Sequence, residues 1–163
     1  MSEQWHDMKP VGLEFLDTAP ERYICEARVA ARPSKVWHAI CDASGWCEWF
    51  PGVESAGYGD DAPGVGSLRW SLVGGVRYEE TMLLWDEPAR WGYRVDRATG
   101  PIARAHVEIT ELEPDADGTL VRWRVATDPA EAIDYMADGT PFEDFLQGLH
   151  DEAMNALDSY LSR

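Results

Sequence analysis

The stretch from Thr140 to Leu161 constrains the fold most. Phe142, Phe145, Leu146, Leu149, Ala153, Ala156, Leu157, Tyr160 and Leu161 recur at helical spacing, and Glu143, Asp144, Gln147, Asp151, Glu152, Asn155 and Asp158 occupy the other face. Thr140 as a cap, Pro141 in the first turn and Glu143 as the far member of a capping box predict the helix start. At 1.5 Å rise per residue such a helix is roughly 30 Å long, about the diameter of a small domain. It cannot bury its apolar stripe alone, so the rest of the chain must supply a curved surface that holds it.

The middle of the chain reads as that surface. From Val53 onward the hydrophobic period is two. Strands are expected over 53–58, 68–72, 76–84, 91–95, 103–109 and 121–125. Turns fall at Asp60–Gly64, Gly74-Gly75, Asp86–Pro88, Thr99–Pro101 and Pro114–Gly118. The inward set is Leu68, Trp70 and Leu72, then Val76, Tyr78, Glu80, Met82 and Leu84, then Trp91, Tyr93 and Val95, then Ala103, Ala105, Val107 and Ile109, then Val121, Trp123 and Val125. The alternate positions, among them Arg69, Ser71, Glu79, Arg94, His106, Glu108 and Arg124, are assigned to a wet face of cross-strand ion pairs. Upstream, Tyr23–Ala31 alternates as a strand, and Pro33 opens a short helix with Val36, Trp37, Ile40 and Cys41 on one face. Asp42 can cap a second short helix over 43–49. Residues 1–22 show no sustained period and read as an irregular arm, with Leu13, Phe15 and Leu16 able to tuck against the body or a second subunit. The expectation is an α+β chain with an arm over 1–22 and a single domain over 23–163, in β-α-α-β6-α order: a curved antiparallel meander wrapped around a long C-terminal helix.

Composition removes several functions. The net charge of −16, from 30 acidic and 14 basic residues, argues against nucleic acid and anionic membrane surfaces, whose binding needs clustered Lys and Arg. No apolar run approaches the roughly 20 residues of a membrane span. The first residues, MSEQWHDMKP, lack the apolar centre of a signal peptide, and the three cysteines Cys25, Cys41 and Cys47 form no CxxC pair, so a cytoplasmic location is expected.

Several motifs, taken in order, carry a family resemblance. Val29-Ala30-Ala31-Arg32-Pro33-Ser34-Lys35-Val36-Trp37-His38-Ala39-Ile40-Cys41-Asp42 forms a strand-to-helix entry, and Trp46, Trp49 and Phe50-Pro51-Gly52-Val53 a second helix and its exit. Asp86-Glu87-Pro88-Ala89-Arg90-Trp91 with Tyr93 forms a proline turn and strand, and Gly118-Thr119 with Val121 and Trp123 a last strand. Together they resemble the START-like, or SRPBCC, superfamily of polyketide cyclases/dehydrases and lipid-transport proteins over about residues 23–162, with the arm outside the pattern. The resemblance implies a helix-grip fold and an apolar cavity between sheet and long helix. It does not choose among activities, because this fold hosts unrelated ones.

Eight Trp exceed what packing alone needs in 163 residues, and large aromatics make efficient cavity walls. The expected lining is Trp46, Trp49, Phe50, Trp70, Leu72, Tyr78, Met82, Trp91, Tyr93, Trp123, Met136, Phe145 and Leu149, with the connection 128–139 as a lid or entrance. Glu80 is the inward acid and the candidate acid/base residue, with Arg97 near the rim as one possible partner. His106 and His150 read as surface or boundary histidines. His38, Cys41 and Cys47 lack the further ligand that a structural zinc requires, so no metal is expected. No G-x-G-x-x-G follows a strand and no P-loop lysine motif occurs, so no nucleotide cofactor is implied. Three functions remain: binding of a small hydrophobic or aromatic molecule, polyketide cyclase/dehydratase chemistry with Glu80 and tyrosine hydroxyls, or an interaction module of the chaperone-activating branch. A small hydrophobic molecule is the expected partner, and a dimer is compatible with the arm.

Overall fold

The structure is a computed structural model and describes residues 2–130 and 139–163. The expected connection around Ile133, Tyr135 and Met136 lies outside the described residues. The chain runs β1 (His6–Asp7), α1 (Phe15–Thr18), β2 (Glu21–Val29), α2 (Pro33–Cys41), a 3-10 helix (Ala43–Glu48), β3 (Val53–Tyr58), β4 (Leu68–Val73), β5 (Val76–Asp86), β6 (Arg90–Ala98), β7 (Ala103–Asp115), β8 (Gly118–Pro129) and α3 (Phe142–Leu161).

The strands form one antiparallel sheet in the order β2-β8-β7-β6-β5-β4-β3, with β1 paired to β6. Strands β3 to β8 are therefore a meander, closed at one side by β2 returning onto β8 from Glu21–Thr127 to Val29–Thr119. This is the α+β helix-grip arrangement. Gly74 and Gly75, at φ +55° and +79°, make the two-residue turn between β4 and β5, where both positions require the left-handed region. The core lies between the inner face of the sheet, α2, the 3-10 helix and α3, and contains Ile40, Trp46, Met82, Trp91, Val121, Trp123, Ala153, Met154 and Leu157.

Helix α3 begins at Phe142 with Pro141, rather than Thr140, at its cap position. Its buried stripe is centred on His150, Ala153, Met154, Leu157 and Leu161. That centring places Phe145 on the shoulder, 40% exposed, and makes His150 an inward residue rather than a boundary one.

The arm is built into the sheet. Strand β6 pairs with β7 only from Arg90 to Arg94, while β5 follows it to Ala98. The freed edge of β6 is taken by β1, and the backbone continues the ladder as Met8 N donates to Asp96 O and Lys9 N to Arg104 O, both at 2.8 Å. Met8 is thereby carried into the core. Helix α1 lies across the opposite face of β7 and β8, where Leu16 and Ala19 pack with Val107, Ile109 and Ala126.

That contact corrects the expected alternation. Cross-strand partners share a face, and Glu108 pairs with Val125 and Thr110 with Trp123, both core residues. His106, Glu108 and Thr110 therefore face inward, and Val107 and Ile109 face the arm. Because both faces of β7 are covered, the apolar residues of the outer face mimic a core-facing set. Strand β4 is inverted in the same sense: Arg69 and Ser71 are buried, whereas Leu68 is exposed and Trp70 and Leu72 are half-buried on the other face. In β5 a bulge between Met82 and Leu84 ends the alternation, leaving Leu84 with the arm cluster and Trp85 with the core. Arg97 pairs with Glu79 at 2.7 Å and lies over Trp5, so it is no partner for Glu80.

Candidate functional site

A cavity of about 100 Å³ opens between the inner face of the sheet and α3. Its apolar wall includes Met8, Phe50, Val53, Val73, Val95, Ile102, Leu146 and Leu149. Its polar groups come from four strands and α3. Arg69 and Ser71 (β4), Tyr78 and Glu80 (β5), and His106 and Glu108 (β7) are i, i+2 pairs, the spacing that puts neighbours on one face of a strand. Tyr93 from β6 and His150 from α3 complete the set.

The first cluster is a buried ion pair. Arg69 Nη1 donates to Glu80 Oε2 at 2.5 Å, and Ser71 Oγ donates to Glu80 Oε1 at 3.1 Å. Arg69 is 1% exposed and Glu80 3%. The guanidinium also lies 4.3 Å over the Trp46 ring and 5.4 and 5.5 Å from the rings of Trp91 and Tyr93, where cation–π attraction holds it. Burial raises the Glu80 pKa, an effect that Arg69 and Ser71 offset only in part. Arg69 remains charged: burial opposes the charge, but Glu80 outweighs it. Its Nε and Nη2 are buried and have no hydrogen-bond partner among the described residues.

The second cluster is centred on Glu108. Its Oε1 accepts from His106 Nε2 at 2.8 Å, and its Oε2 accepts from Tyr93 OH at 2.8 Å, Trp123 Nε1 at 2.9 Å and His150 Nε2 at 3.3 Å. His150 Nδ1 faces the Leu146 carbonyl at 2.8 Å. The Glu108 carboxylate at Nε2 and the Leu146 carbonyl at Nδ1 both favour the protonated form of the His150 ring. Burial opposes both charges, yet each stabilises the other: His150 and His106 hold Glu108 well below the usual carboxylate range, and Glu108 raises His150. Burial together with Glu108 and Glu80 raises Tyr93 well above the ordinary phenol, and burial with Glu80 and Glu108 pushes Tyr78 up to about 12.

Of the residues expected at the site, Trp46, Phe50, Tyr78, Glu80, Tyr93 and Leu149 line the cavity. Trp49, Met82, Trp91 and Trp123 are buried behind it; Trp123, for example, meets the Phe50 ring at 5.9 Å between centroids. Trp70 and Leu72 lie on the other face, Phe145 is exposed, and Met136 is outside the described residues. Arg69, Ser71, His106, Glu108 and His150 were placed outside the cavity or at its edge and in fact line it. The polar i, i+2 pairs Arg69/Ser71, Tyr78/Glu80 and His106/Glu108 were the available signal. Among the described residues no three His, Cys, Asp or Glu side chains are grouped to hold a metal ion.

Residues 25–162 match the protein family described as polyketide cyclase / dehydrase and lipid transport. No curated protein is significantly similar in sequence. Among solved structures, the protein XoxI from Bacillus cereus is 15% identical, with a TM-score of 0.68, over 86% of this chain and 95% of that one. Ara h 8.0201 is 15% identical at 0.67, over 87% of this chain and 97% of that one. The di-domain ARO/CYC BexL from the BE-7585A biosynthetic pathway is 15% identical at 0.70, over 91% of this chain and 53% of that one. At these identities the likeness is one of fold. Among the described residues no helix is long and apolar enough to cross a membrane.

Proposed function

The chain belongs to the polyketide cyclase / dehydrase and lipid transport family, and on that premise we propose that its cavity binds a small organic molecule bearing an oxygen atom, which Arg69 recognises. The observation that carries this reading is Arg69 itself, a buried cation on the wall of the cavity that keeps two donors, Nε and Nη2, without a hydrogen-bond partner among the described residues. A buried donor left without a partner costs about 1–3 kcal/mol, and a ligand carbonyl, phenol or enolate oxygen would remove that cost. The volume of about 100 Å³ suits one ring; drug-sized ligands occupy roughly 300 Å³ or more.

A second reading, a cyclase/dehydratase-type enzyme, is favoured by the number of inward polar groups. A carrier of apolar molecules needs few, whereas this cavity has Arg69, Ser71, Tyr78, Glu80, Tyr93, His106, Glu108 and His150 on its wall. The binding reading is tested with p-cresol and p-xylene, which differ in the oxygen and little in shape. p-Cresol is expected to quench tryptophan fluorescence with an affinity at least about tenfold above that of p-xylene, since one good hydrogen bond to a charged donor is worth about 1.5–3 kcal/mol. Arg69→Met should abolish the difference. Equal affinity for the two compounds, or a difference that persists in Arg69→Met, would overturn the assignment of Arg69.

A further inference from the structure

We propose that His106 is the general base of this cavity, positioned by Glu108, and that it removes a proton from carbon next to a carbonyl group. The inference rests on the reading of the cavity as a small-molecule site and names the group that would act there.

The argument is one of elimination among the lone pairs on the cavity wall. Glu80 has one oxygen against Arg69 and the other against Ser71. Glu108 accepts from four donors. His150 has Nε2 against Glu108 and Nδ1 against the Leu146 carbonyl and the Tyr23 hydroxyl, so neither nitrogen is open to a ligand. Tyr93 donates its hydroxyl proton to Glu108, and the Tyr78 phenol is pushed up to about 12, which leaves it un-ionised at neutral pH. His106 differs from all of these. Its Nε2 is held by Glu108 at 2.8 Å, and its Nδ1 makes no hydrogen bond among the described residues. In the tautomer whose Nε2–H donates to the carboxylate, the ring lone pair is on Nδ1. Fixing one imidazole nitrogen on a buried carboxylate so that the other serves as a base is a general arrangement for proton transfer.

The step balances as follows. His106 Nδ1 takes the proton, the C–H electron pair becomes the carbon–carbon double bond of the enolate, and the carbonyl π pair moves onto oxygen, whose charge the Arg69 cation of the same cavity wall would stabilise. Nδ1–H then returns the proton to carbon, or to the oxygen of a second carbonyl that the enolate carbon has attacked. Proton return from solvent exchanges the carbon-bound hydrogen and can be read without knowing the natural substrate.

The experiment uses the full chain with cyclohexanone in D2O. Deuterium entry next to the carbonyl is followed by proton NMR, and binding by tryptophan fluorescence. Wild type is expected to exchange faster than buffer, and His106→Gln to lose about 10²- to 10⁴-fold of that acceleration with binding retained, the usual contribution of a general base. Imidazole should restore part of the rate to His106→Ala, a rescue that a merely structural histidine would not give. Glu108→Gln should lower the rate at saturating ketone while leaving affinity within about twofold, and Glu108→Asp should recover part of the loss. Ketone bound by wild type with exchange no faster than buffer would overturn the inference while leaving the binding reading intact, and so would His106→Gln exchanging at the wild-type rate. Absence of binding to wild type would overturn the binding reading and the inference with it.

Discussion

Removing Arg69 while keeping Glu80 should be among the most destabilising single changes in this protein. The two side chains are 1% and 3% exposed and 2.5 Å apart, so Arg69→Met leaves a carboxyl in the core with the Ser71 hydroxyl as its remaining partner. Breaking a buried pair in this way costs about 3–5 kcal/mol, whereas replacing both members with apolar groups of similar volume is close to neutral. The double variant Arg69→Met/Glu80→Leu should therefore lie within about 2 kcal/mol of wild type, and the double-mutant cycle should give a coupling of about 3–5 kcal/mol. The half-exposed pair Arg90–Asp86 at 3.2 Å should couple by less than about 1 kcal/mol. The loss also has a pH signature. Burial already raises Glu80, and without Arg69 the largest opposing influence disappears. An acid whose folded pKa lies above its unfolded value binds more protons when folded, so stability falls as pH rises between the two values, by about 1.4 kcal/mol per pH unit. Urea unfolding followed by tryptophan fluorescence at several pH values from 5 to 8 measures both quantities. A coupling below about 1 kcal/mol, or an Arg69→Met variant with no added pH slope, would refute the argument that Arg69 is what keeps Glu80 tolerable in the core.

Further outcomes follow from the same geometry. Leu157→Ala should cost about 2–5 kcal/mol in denaturant melts, because Leu157 is fully buried between α3 and the sheet. Gly92→Ala should destabilise by about 1–3 kcal/mol, since the added Cβ would meet Ile109 Cγ2 at 2.5 Å and, less avoidably, the Glu108 backbone oxygen at 2.8 Å; thermal melts would show it. The Glu108–His150 pair should give stability a flat range between two limbs. Glu108, with its pKa lowered, contributes above its unfolded value near 4.5, and that contribution is lost as pH falls through the folded pKa. His150, with its pKa raised, contributes fully below its unfolded value near 6.5, and that contribution is lost as pH rises through the folded pKa. His150→Gln should lack the alkaline limb, which urea melts from pH 6 to 10 would reveal.

The helix-grip fold was legible because it rests on periods. The 3.6-residue stripe of α3 and the two-residue alternation of β6 and β8, with Trp91, Tyr93 and Trp123 inward, are properties of single segments and need no knowledge of what packs on them. Glu80 was legible for the same reason, being in register with Tyr78 and Met82, although its partner was not.

The chemistry of the site was settled by what covers each face, which no local pattern records. Strand β7 carries two comparably buried sets, and hydrophobicity picked Val107 and Ile109 as inward because water was assumed to be on the other side. Helix α1 and Leu16 occupy that side, so the apolar set is satisfied there and His106 and Glu108 are free to face the cavity. In β4, Arg69 is tolerated inside because Glu80 on the neighbouring strand and the rings of Trp46, Trp91 and Tyr93 converge on it from three separate elements. A charge is buried when its partners are already there. Those partners are distant in sequence and adjacent only in the folded chain, which is why the strands could be read from the residues and the ionised cavity they enclose could not.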